Sequence, residues 1–110
     1  MTAAAAEAPR TAGLEQALDL SRQLQARVES RDWEAAAALE AARRTLLEGF
    51  FARPPPPAEL HETVRLLKEL VAANEALVGI AEHIQRGLAR EAETVAVGRR
   101  AVLAYSSHAV

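Results

Sequence analysis

The sequence predicts an all-α protein: a small antiparallel bundle in which a helical hairpin packs on one long third helix, followed by a short C-terminal helix. Three observations carry that prediction. Half of the 110 residues are hydrophobic, yet only 4% are aromatic and much of the apolar half is Ala, so helix formers dominate and large side chains are scarce. Apolar residues recur at three- and four-residue steps through three separate stretches. Between those stretches stand two breaks, Ser30-Arg31-Asp32 and Pro54 to Pro57. A chain of this length supports one domain with one modest core.

The first helix runs from about Ala12 to Glu29, with Leu14, Ala17, Leu18, Ser21, Leu24 and Val28 lining one face. Asp32 is placed to cap the second helix by accepting hydrogen bonds from its first free amides, so the two helices form a hairpin. The second helix extends from Trp33 to about Phe51. Ala35, Leu39, Ala42, Leu46 and Phe50 form its main stripe, and Ala36, Leu47 and Phe51 lie beside it. Arg43 falls inside the stripe, three residues after Glu40, a spacing at which the two pair while the Arg stem covers apolar surface.

Residues Arg53 to Pro57 cannot be helical in their interior, because Pro has no amide donor and disfavours helical backbone at the residue before it. They read as a stiff connector; a Pro-rich ligand for a recognition domain is the other reading. The third helix starts near Ala58 and meets nothing stronger than isolated Gly until about Gly98, a length of roughly 40 residues or about 60 Å. It carries two apolar tracks. Leu60, Val64, Leu67, Val71, Asn74 and Val78 keep a heptad spacing, and Leu66, Leu70, Leu77, Ile80 and Ile84 form a second track about 100° round the helix. Asn74 either sets the register of a helix pair or faces water.

Each hairpin helix is only about 27 Å long, so the hairpin covers little more than the first half of the third helix. Ile80, Ile84, Leu88 and Val95 are then left without a cover within the bundle, and a row of exposed aliphatics needs one: the chain's own tail, a second copy or another protein. Gly98 reads as a hinge leading into a short amphipathic segment, 98–110, that presents Val102, Leu103 and Tyr105. Gly79 and Gly87 read either as sites of close packing or as kinks.

Met1 to Arg10 has no basic start and no greasy centre, so residues 1–11 are expected to be a flexible tail and 12–110 a single helical domain. No apolar run approaches the roughly 20 residues that span a bilayer, and a soluble protein without membrane insertion is expected. A formal charge of −2 gives no footprint for nucleic acid. The absence of Cys removes disulfides, thiolate metal sites and cysteine nucleophiles, and fits a reducing cytoplasm.

Searches for chemistry return little. His61-Glu62-Thr63-Val64-Arg65 has Arg where a zinc-protease helix needs its second His, and neither His83 nor His108 has a His one turn away. The glycines form no phosphate loop, and the carboxylates Glu62, Glu69 and Glu82 read as a solvated face. No catalytic residue, metal ligand or cofactor is predicted, and the chain is read as not being an enzyme.

Three stretches carry a family resemblance. Asp32 to Glu48, DWEAAAALEAARRTLLE, resembles the start of the second helix in the FliT family of flagellar export chaperones. Asn74-Glu75-Ala76-Leu77 resembles the N-E-x-L stretch of that family's long third helix, and Ala104-Tyr105 after Arg99-Arg100 resembles its C-terminal segment. The resemblance implies a cytosolic chaperone that holds the filament-cap protein FliD unassembled and delivers it to the type III export apparatus, including its ATPase. On that reading Leu66, Leu70, Leu77, Ile80, Ile84 and Leu88 form a groove for an amphipathic helix of the client. The C-terminal segment, with Val102, Leu103 and Tyr105, would fold back over it as a regulator. The tail after Tyr105 is short for that role, and the proline run is longer than the family pattern. A homodimeric helical adaptor unrelated to flagella, paired through the heptad track, is the alternative reading.

Overall fold

The structure is a computed structural model that describes residues 9–108, and residues 1–8 of the expected 1–11 tail lie outside them. Its elements are α1 (Thr11–Glu29), α2 (Trp33–Phe51), a single 3-10 turn (Pro57–Glu59) and α3 (Leu60–His108). The chain divides into two compact units, the first ending at Val78 and the second beginning at Gly79.

In α1 all six residues expected on the inner face, Leu14, Ala17, Leu18, Ser21, Leu24 and Val28, are buried. Thr11 is buried too, and it belongs to the helix rather than to a tail. Its amide, one of the orphan donors of a helix start, donates to the Glu59 carboxylate at 3.2 Å. A cap borrowed from 48 residues away is invisible to local spacing, which is why the boundary falls earlier than the sequence suggests.

The hairpin turn has defined chemistry. The amide of Asp32 donates to the Arg27 carbonyl at 2.9 Å and that of Arg31 to the Val28 carbonyl at 3.0 Å, closing the end of α1 with crossed bonds. This closure needs a left-handed residue, and Arg31 supplies it with φ of 60°. Asp32 then caps α2, its carboxylate accepting from the Ala35 amide at 3.2 Å.

The end of α2 poses a different problem. Its last carbonyls need donors, and beyond Ala52 and Arg53 the chain enters prolines, which have none. Arg10 fills the gap. Its guanidinium donates to the carbonyls of Phe50, Arg53 and Pro54 and lies 4.9 Å over the Phe50 ring. The last turn of α2 contains no basic residue of its own, so Arg10 also supplies the positive charge that a helix C-terminus favours. With Pro54 and Pro56 carbonyls engaged by Arg10 and the Glu59 amide, the run is a built connector.

The core joins Leu14, Ala17 and Leu18 of α1, Phe50 of α2, and Leu66 and Leu70 of α3, with Leu46, Leu47, Leu67 and Ala73 packed against it. Every one of these residues precedes Gly79. Near it, Arg43 pairs with Glu40 at 2.9 Å, as the spacing predicts, and reaches the Ser21 hydroxyl at 3.3 Å.

In the third helix two expectations are corrected. It begins at Leu60, after the 3-10 turn, and it runs for 49 residues to His108 without a break at Gly98. The C-terminal segment is therefore helical as expected but continuous with α3. A Gly in a run of strong helix formers costs only about 1 kcal/mol, too little to stop a helix. A Cβ placed at Gly79, Gly87 or Gly98 would meet nothing within 4 Å, so close packing inside the chain does not explain these glycines.

Two measurements test the turns. Arg31→Gly relieves a left-handed Arg and should raise stability by about 1 kcal/mol in urea denaturation. Arg10→Ala, which leaves three carbonyls without a donor, should lower it by about 2 kcal/mol, with Arg10→Lys restoring only part because it lacks the planar fork.

Candidate partner-binding faces

The side chains of α3 sort into stripes by their angle round the helix. In the first unit Thr63, Leu66 and Leu70 turn into the hairpin and are buried, Leu66 being 2% exposed. Leu66, expected in a client groove, is thus removed from the accessible surface, while Leu70, expected there too, is 7% exposed and reaches the wall of the groove described below. Their track and the heptad track are both apolar, and spacing alone does not say which one meets α1.

The heptad track is the one left open. Leu60, Val64, Val71 and Val78 are all exposed, Val71 by 58%. Leu67 is half-buried beside them, and Asn74 is exposed, which favours the water-facing reading. Beside this track stands the end of α2. Phe50 and Phe51 are neighbours in sequence and therefore about 100° apart on the helix, so one enters the core at 7% exposure while the other stands out at 61%. Their rings meet edge to face with centroids 5.3 Å apart, so the core ring braces the exposed one.

Leu47, Phe51, Leu67, Leu70 and Val71 line an open groove of about 390 Å³, with Arg43, Asn74 and Glu75 also at its wall. The Arg43 guanidinium is held by Glu40 and Ser21, while its Nε is buried without a partner. Phe51 and Leu47 were legible only as residues beside a stripe, and nothing in the helical spacing marked them as a surface pair with Val71.

In the second unit Ile80 and Ile84 are half-buried, and Leu77, at the end of the first, is likewise half-buried. Leu88, Val95, Val97, Val102, Leu103 and Tyr105 are exposed, Tyr105 by 79%. Val102, Leu103 and Tyr105, expected on a folded-back segment, project from continuous helix.

Elsewhere on α3 the charged side chains pair on a solvated face. Arg65 bridges Glu62 and Glu69 one turn to either side. The Arg65 hydrogen bond holds the Glu62 carboxyl below its ordinary pKa, so the support it lends to the first turns of α3 is lost as pH falls through that lowered value. Among the described residues no group of three or more His, Cys, Asp or Glu side chains is placed to hold a metal ion. No helix among them is long and apolar enough to cross a membrane.

The fold and these faces define an all-helical protein whose exposed chemistry is apolar helix surface of the kind that other helices cover. The family model described as "Flagellar protein FliT" matches residues 12–107, and the chain belongs to the FliT family of flagellar export chaperones. No curated protein and no solved structure gave a significant match.

The adjacent phenylalanines give a direct check of the geometry. Phe50→Ala should cost about 3–5 kcal/mol in chemical denaturation, whereas Phe51→Ser should change stability by less than about 0.5 kcal/mol.

Proposed function

We propose that this chain binds the filament-cap protein FliD in the cytosol, prevents its premature assembly and delivers it to the type III export apparatus, including its ATPase. Family membership supplies the export-chaperone role. The observation that carries the client reading is the open groove at Leu47, Phe51, Leu67 and Val71. It is apolar, its aromatic wall is already ordered by Phe50, and an amphipathic helix laid along it would bury side chains at i, i+3, i+4 and i+7. Burial of such a segment keeps it from assembling or aggregating before export. Ile84 and Leu88, in the second unit, offer a separate apolar stretch that the same client can use. Membership in a flagellar family sets aside the reading of an adaptor unrelated to flagella.

Co-purification with a FliD-type cap protein tests this. Wild type should form a stable complex, and Phe51→Asp with Val71→Asp should weaken it by at least tenfold while circular dichroism stays helical. If only Ile84→Asp with Leu88→Asp weakens it, the client site lies in the second unit. A wild-type chain that ignores the cap protein sinks the client assignment.

A further inference from the structure

The single Trp of the chain stands where a core-filling residue would not. Trp33 opens α2 directly after the Asp32 cap and is 51% exposed. Neither helix formation nor packing asks for an indole there: Asp32 supplies the cap, and the buried residue of this first turn is Ala36. A large amphipathic ring left half in water at an ordered helix start is the kind of side chain that anchors a partner.

Helix geometry fixes its relation to the groove. Trp33 and Phe51 are eighteen residues apart, which is about five turns, so both leave α2 on the same side with about 27 Å between them. Leu47 lies on that side too, one turn before Phe51. Between the two rings stand Ala37, Glu40 and Arg44, and here the charges are already satisfied. Glu40 pairs with Arg43 at 2.9 Å and with Arg44 at 3.6 Å. This face of α2 therefore has an aromatic residue at either end and a self-neutralised centre.

The α3 wall of the groove is not neutralised. Glu75 is exposed there and has no ion-pair partner among the described residues. Arg43, the cation that shares the wall with it, is taken by Glu40 and Ser21. An open carboxylate beside an apolar groove favours a cation on whatever lies in it and repels an acid.

We infer that the client site continues along α2 from Phe51 to Trp33, and that its occupant is one amphipathic helix of about five turns carrying a Lys or Arg over Glu75. The inference rests on the client reading and adds to it the length and charge of the bound segment. A helix of that length meets both rings, whereas a shorter one reaches only one of them. Arg43 lies between the rings, so the basic residue opposite its neighbour Glu75 falls near the middle of the client helix.

Because Trp33 is the only Trp, a chain grown with 5-fluorotryptophan carries a single fluorine reporter at the proposed far end of the site. Its resonance should shift when an unlabelled FliD-type cap protein is added. In isothermal titration calorimetry Trp33→Ala should weaken binding about tenfold with helicity unchanged, and Trp33→Phe should recover most of the loss. Glu75→Gln should weaken binding about threefold and flatten its dependence on salt. A cap protein that binds without moving the resonance, or that binds Trp33→Ala as tightly as wild type, overturns the extension to Trp33 and leaves the client reading standing. Equal affinity and equal salt dependence for Glu75→Gln overturns the charge selection. A wild-type chain that binds no cap protein ends the client reading and this inference together.

Discussion

Four successive residues without an amide proton, Pro54 to Pro57, impose the constraint on which the first unit is built. Past Ala52 and Arg53 such a run offers the end of α2 no further amide donor. The donors have to arrive from elsewhere, and here they come from the opposite end of the hairpin, as the Arg10 guanidinium. One side chain thereby ties the entry of α1 to the exit of α2. Glu59, just past the prolines, returns the favour to the Thr11 amide. The beginning of α1, the end of α2 and the beginning of α3 are brought together by polar groups that each lack a local partner, and the aliphatic core fills in beside them.

Much of this was legible in the sequence. The inner face of α1, the Asp32 cap and the Glu40–Arg43 pair all follow from three- and four-residue spacing, because each depends on neighbours within a turn. What spacing could not show was anything set by a distant partner. Arg10 looked like part of a tail because its acceptors lie 40 to 44 positions away. Which of the two apolar tracks meets the hairpin was not legible, because both are equally apolar and only packing, which buries Leu66, selects between them. Gly98 looked like a hinge because propensity alone overweights a single glycine in a long helix.

The same selection explains the exposed apolar surface. Burying Leu66 and Leu70 leaves the heptad track outside, and the 100° step between Phe50 and Phe51 puts an aromatic ring next to it. An export chaperone needs such an accessible apolar surface without losing its own fold. Here the exposed and the core aliphatics fall on adjacent stripes of one helix, so substitutions on the outer stripe leave the inner one to keep the hairpin closed.

Because every residue of the core precedes Gly79, the two units carry unequal shares of the hydrophobic stabilisation. The contacts among Leu14, Leu18, Phe50, Leu66 and Leu70 are complete by residue 78, so a proteolytic cut within the second unit removes no side chain from the core. Opening of the far end of α3 is then a local event, and the cooperative unfolding step belongs to the first unit.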